Sequence, residues 1–301
     1  MRNILQSAIA VTFCTAFHGL HAQPAPDGWR FSAEAGALHQ WESGIDKGGD
    51  LSANAWSFRA SASRAWTPTL RAGLSAGVGQ RNYRFSGDTG FGGSRPWSNV
   101  RDARLSASLN WQANESWSVF AIPTIRWSAE TGAALNDGRT GGLLAAATYR
   151  VNDRLSIGPG FGVFSELEGD TDWFPILAVD WRITDRISLR TGRGFASTRG
   201  PGLTLVWDAS ESWSFSLGGR YEKERFRLDD DGIAPNGIGQ ETSVPLYLGL
   251  TRSFGPTATF SVIAGAKVGG RLRLEDEHGE LLEESDYDTA PFAGATVELR
   301  F

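Results

Sequence analysis

Connections between the apolar-alternating stretches of this chain switch strictly between short and long, and that switch limits the possible folds more than any motif does. From Trp29 to Phe301 the sequence divides into about fourteen stretches with apolar residues at every second position, the period of a half-buried strand. Trp56, Phe58, Ala60 and Ala62 alternate with Ser57, Arg59, Ser61 and Ser63, and Leu70, Ala72, Leu74, Ala76 and Val78 with Arg71, Gly73, Ser75, Gly77 and Gly79. Turns of about three to five residues follow the even-numbered stretches, among them Thr67-Pro68-Thr69, Asn152-Asp153-Arg154 and Gly255-Pro256-Thr257, whereas loops of about eight to fifteen follow the odd ones.

A sandwich or propeller has no reason to keep that order. An all-β, transmembrane, antiparallel up-and-down β-barrel needs it, with short periplasmic turns, longer extracellular loops and both termini on the short-turn side. In hydrocarbon an unpaired backbone group costs several kcal/mol, so the first and last strands must close on each other. Fourteen strands of roughly 9–11 embedded residues fit the chain, and a boundary error of two strands would make it twelve or sixteen.

The first residues predict export. Arg2 precedes a short, uncharged, mostly apolar run, Ile4 to Leu20, and Ala22 offers a small residue for cleavage. Residues 1–22 therefore read as a signal peptide, 23–28 as a short lead-in and 29–301 as one barrel domain, with no plug domain before the first strand. Phe13 stands where a lipoprotein signal needs a small residue before Cys14, so no lipid anchor is expected. Met1 and Cys14 are the only residues of their kinds, which leaves the mature chain without disulfides or thiolate metal sites. A net charge of −5 argues against nucleic acid as a partner. Twelve tryptophans, recurring near strand ends, fit interfacial girdles.

If the apolar parity faces lipid, the other parity lines the lumen. It carries Arg59, Arg71, Arg81, Arg104, Arg126, Arg150, Arg190, Arg220, Lys267, Arg271 and Arg300, with Asp102, Asp180, Glu222, Glu224 and Glu298. Arg64 is an exception on the lipid parity, placed to snorkel beside Trp66. The charged face predicts either a water-filled, mildly cationic path for small anionic solutes or an ion-pair network that fills and stiffens the wall. Bulky inward residues (Phe120, Ile122, Phe164, Phe174, Ile176, Tyr247) suit a narrowed pore or an apolar passenger.

The chain ends on Ala293, Ala295, Val297, Leu299 and Phe301, apolar at alternate positions and closing on an aromatic residue. This strand resembles the assembly signal of bacterial outer-membrane β-barrels, and the whole mature chain resembles uncharacterised, porin-like proteobacterial barrels. The resemblance implies residence in the outer membrane of a Gram-negative cell. Outer-membrane lipid and lipopolysaccharide would surround it, and periplasmic chaperones and the barrel-assembly machinery would handle it, reading Val297, Leu299 and Phe301. It implies a porin-like channel for passive diffusion of small solutes, which the charged inward face would bias toward anions. The alternatives are a largely closed barrel with a structural or surface-interaction role, and a channel for hydrophobic compounds. No cofactor is implied. Catalysis is not expected, because the mature chain has two histidines, His39 beside Trp41 and His278 in a charged loop, and neither stands in a hydrolase motif. The acidic runs Asp229-Asp230-Asp231 and Glu275-Asp276-Glu277 read as solvated turns. Phe292 breaks the terminal pattern, and either a bulge at Pro291 turns it to lipid or it packs in the lumen.

Overall fold

The computed structural model describes residues 28–169, 171–192 and 202–301, so the signal-peptide reading of residues 1–22, most of the lead-in, and Arg193 at the end of the ninth stretch fall outside it. The described residues form a closed antiparallel barrel. Its strand segments are β1 (Trp29–Gly44), β2 (Asp50–Thr67), β3 (Leu70–Ser86), β4 (Asn99–Gln112), β5 (Trp117–Glu130), β6 (Arg139–Asn152), β7 (Leu155–Phe164) and β8 (Asp172–Arg182). They continue with β9 (Ile187–Thr191), β10 (Gly202–Asp208), β11 (Trp213–Arg220), β12 (Glu222–Arg227), β13 (Ile238–Phe254), β14 (Ala258–Glu275), β15 (Leu281–Tyr287) and β16 (Ala290–Arg300). β11 and β12 are halves of one wall strand broken at Tyr221, and β15 and β16 halves of another broken at 288–289, which makes fourteen staves.

Neighbours in sequence are neighbours in the wall, and β1 pairs with β16 from Ser32↔Arg300 to Gln40↔Phe292 to close it. Phe31 and Phe301 complete the seam, each amide donating to the other's carbonyl at 3.1 and 2.9 Å. No edge is left for hydrocarbon to meet at this seam, as the cost of unsatisfied backbone groups requires.

Outward positions carry the apolar residues, among them Leu74, Val78, Leu105, Leu177, Leu217 and Leu248, all exposed. At the short-turn rim Trp29, Trp66, Trp111, Trp117, Trp181, Trp207 and Phe254 form an exposed girdle. Trp29 and Trp66 meet edge to face with centroids 6.1 Å apart, and the Arg64 guanidinium lies 5.4 Å from the Trp66 ring centroid, its charge held at the interface. Trp97 departs from the girdle and is buried inside.

Beyond the lipid belt the loop side departs from a plain cylinder in two ways. β14 shifts register against β13 between Val268 and Arg271, with Gly269 at φ +60°, a conformation open to glycine. The extra residue flips the faces, turning Leu272 and Leu274 into the interior and Arg271 outward. The expectation that Arg271 lines the lumen is thereby overturned: it is half exposed and bonds Asp286 on β15 at 2.7 Å.

Second, β12 leaves the wall after Tyr221. One edge stays on β13, while the other, among the described residues, meets β5 through a parallel bridge, Arg227↔Ala129. Lys223, Arg225 and Arg227 keep the parity that faces lipid in β11, yet they do not meet lipid. They bond Asp172, Glu166 and Glu168, at 3.2 Å for Lys223–Asp172, 3.1 Å for Lys223–Glu166 and 2.5 Å for Arg227–Glu168. Arg225 also forks onto Glu275, at 2.7 and 3.0 Å. The one-sided charge rule expected from the sequence fails here, because the strand carrying these cations is no longer part of the lipid wall.

Phe292 resolves inward. The β14–β16 ladder runs without a shift from Ala290 to Leu299, so there is no bulge at Pro291, and the ring packs with Tyr247 and Ile263 against Leu38.

Candidate functional site: the capped lumen

The outer mouth is filled by an apolar cap. The β3–β4 loop folds back over the lumen through a short helix, Gly90–Ser94, that buries Phe91, and the same loop buries Trp97. Phe226 and Leu228 arrive from the inward-bent β12, Leu51, Tyr83 and Phe85 from β2 and β3, and Leu272 and Leu274 from β14. The Trp97 ring lies 5.4 Å from Phe226, 5.4 Å from Phe85 and 5.7 Å from Phe91 by centroids. Complete burial of a Phe or Leu side chain stabilises by about 1.5–3 kcal/mol, so the cap is a small core in its own right.

Directly beneath it sits a buried carboxylate. Glu241 accepts from Arg81 at 2.9 Å, Lys267 at 2.5 Å, Tyr83 at 2.8 Å and Tyr287 at 2.8 Å. Four donors from β3, β14 and β15 saturate both oxygens, the condition under which a buried charge is tolerated.

Below that lock a cavity of about 150 Å³ occupies the lumen. Arg59, Arg81, Arg104, Arg126, Arg220 and Lys267 line it, against Asp102, Glu222 and Glu224. Pairing register sets three of the arginines in one row. Arg59 on β2 stands opposite Gly77 on β3, Gly77 opposite Arg104 on β4, and Arg104 opposite Arg126 on β5. Adjacent strands are about 4.8 Å apart, so the row presents repeated cationic heads at one height. Glu34 stands opposite Arg59 on β1, and Glu224 of β12 pairs with Arg126, as Glu222 does with Arg220. β12 thus supplies carboxylates to Arg126 and Arg220 and Phe226 to the cap from a single face.

Toward the short-turn rim many inward side chains are small and hydroxylated, interspersed with charged ones such as Asp180, Arg190, Glu298 and Arg300. Ser32 and Ser61 bond at 2.7 Å, Ser106 and Thr124 at 2.9 Å, and Thr251 and Ser261 at 2.9 Å. Most are half-buried. The lumen is therefore a polar vestibule, then a charged belt, then a cap.

The fold is similar to that of outer-membrane barrels of known structure. The COG4313 outer membrane channel from Pseudomonas putida F1 superposes with a TM-score of 0.53 at 11% identity, covering 93% of this chain and 98% of that one. A FadL homologue from Pseudomonas aeruginosa gives a TM-score of 0.49 at 10% identity, covering 91% and 90%. By sequence, no family model and no curated protein matches the chain.

Of the residues expected in the lumen, Arg59, Asp102, Arg104, Arg126, Arg220, Glu222 and Lys267 meet around the cavity. Arg71 and Arg150 sit nearer the short-turn rim, and Asp180 pairs with Arg190 there at 3.1 Å across β8 and β9. Arg300 also lies at that rim, 2.5 Å from Glu298. Phe164 and Phe174 stack with centroids 6.1 Å apart. The His39 Nδ1–H donates to Asn54 Oδ1 at 2.9 Å on the outer surface, and the ring stands edge to face with Trp41. The cap aromatics Phe91 and Trp97 were hidden in a loop that reads as polar, although two aromatic rings in a glycine-rich loop were the available sign.

Proposed function

We propose that this chain is an outer-membrane channel for small, preferentially anionic solutes, entering or leaving through the vestibule and the arginine belt, with the cap setting passage at the outer mouth. The observation that carries the reading is the aligned row Arg59, Arg104 and Arg126 above a vestibule lined by hydroxyl and charged side chains. A barrel serving only as a scaffold has no need for a half-buried polar lumen.

The test is reversal potential in planar bilayers under a salt gradient. Anion preference is expected, and changing Arg59, Arg104 and Arg126 to Ser should weaken it or turn it cationic. Unchanged selectivity in that series counts against the belt as the selective step.

Export by a cleaved leader and assembly through Val297, Leu299 and Phe301 belong to the same proposal. The exchange of hydrogen bonds between Phe31 and Phe301 places the last residue on the closing seam, which supports a role in finishing the barrel. Removing Phe301 should cut the assembled barrel recovered from cells several-fold, while the purified variant still refolds in detergent. Equal losses in both settings would make Phe301 a stability residue and not a recognition signal.

A further inference from the structure

The cavity beneath the cap has two unlike walls. Its β2–β5 wall carries the row Arg59, Arg104 and Arg126, whereas Tyr247, Ile263 and Phe292 on β13, β14 and β16 form an apolar wall. A bare inorganic anion would leave the second wall wet, and a hydrocarbon would leave buried guanidinium groups facing it.

Gly77 sharpens the geometry. It interrupts the row between Arg59 and Arg104, and the nearest atom to a β-carbon placed there is a backbone oxygen at 3.2 Å, followed by Arg59 atoms at 3.7 and 3.9 Å. The contact at 3.2 Å is close, and without a side chain at Gly77 the row dips to the backbone between two guanidinium-bearing positions, a shallow notch. A carboxylate suits such a notch, because planar guanidinium groups bind its two oxygens in parallel.

We infer that the cavity binds a small carboxylate attached to a compact apolar body, the carboxylate at the Gly77 notch and the body against Tyr247, Ile263 and Phe292. The inference rests on the reading of the lumen as a solute path and narrows the solute to amphipathic organic anions. Mixed sites of this kind, largely apolar with a few convergent polar groups, are the common form of small-molecule pockets.

Titration of the folded, detergent-solubilised protein with benzoate, benzamide and acetate tests it. Benzamide keeps the ring without the charge, and acetate keeps the charge without the ring. Benzoate is expected to bind at least about tenfold more tightly than either, since one charge-assisted pairing or one buried ring is worth that much. Arg104→Gln should abolish the margin over benzamide. Gly77→Val, which fills the notch without changing any charge, should lower benzoate affinity about tenfold in protein that still shows the heat-modifiable mobility of a folded barrel. Benzoate no tighter than benzamide, or no tighter than acetate, overturns the assignment, as does unaltered binding in folded Gly77→Val. Benzoate binding in a protein that never conducts would retain this site and remove the channel reading. Conductance without benzoate preference would do the reverse.

Discussion

Planar-bilayer recordings of a Phe91→Ala, Trp97→Ala, Phe226→Ala variant are expected to show a several-fold higher mean conductance than the parent, in which those three rings belong to the buried apolar cluster of the cap. Truncating a buried Phe or Trp to Ala costs about 3–5 kcal/mol each, which is more than a cap of this size can lose and stay closed. The barrel beneath should survive. Its wall is held by ladders that run from β1 through β6 and across the β1–β16 seam, and in hydrocarbon those backbone pairs have no alternative partner. The cap by contrast joins side chains from loops and strand ends, where water can replace what is lost. Heat-modifiable mobility on gels verifies that the variant is folded before current is measured. A folded triple variant as silent as the parent would mean that the cap does not control passage.

The wall was legible in the sequence because its signals are local. Period two and turn length are read within one hairpin, and Trp66 to Leu70 or Phe254 to Ala258 declare themselves without knowledge of any distant residue. The charged belt was legible for the same reason, since parity alone sends Arg59, Arg104 and Arg126 inward. Parity fails where the chain shifts by one residue. Gly269 flips Arg271 outward and Leu272 inward, and a glycine in a glycine-rich barrel strand gives no warning of which one will bulge. The inward bend of β12 was hidden more thoroughly, because Glu222 to Leu228 still alternates. Its trace was chemical: Lys223, Arg225 and Arg227 on the lipid parity would each cost about 2–4 kcal/mol at the bilayer midplane, so a strand that carries all three has left the lipid. Their acidic partners Glu166, Glu168 and Asp172 lie more than fifty residues away, and no local pattern announces them.

Replacing Glu241 with Gln should cost the largest share of stability of any single change in the lumen, about 3–5 kcal/mol, because it leaves Lys267 and Arg81 as buried cations without their shared carboxylate. Lys267 is the more exposed to this loss, being 5% accessible at its side chain against 26% for Arg81. Urea unfolding of the refolded barrel measures the change. The discriminating variant is Glu241→Gln with Lys267→Met, which removes the stranded charge along with its partner and should recover part of the loss, a favourable coupling between neighbours. If the double variant is instead as unstable as the sum of its single changes, the contribution of Glu241 comes from Tyr83, Tyr287 and Arg81 and not from Lys267. Either result bears on the cap, for those tyrosines are also its lowest layer. Glu241 fixes them from below with a hydrogen bond of 2.8 Å each, while Phe85, Leu272 and Leu274 pack in the same apolar cluster. A channel that loses this carboxylate should therefore lose the closed state of its outer mouth together with its stability, so that Glu241→Gln conducts more than the parent at urea concentrations where both remain folded.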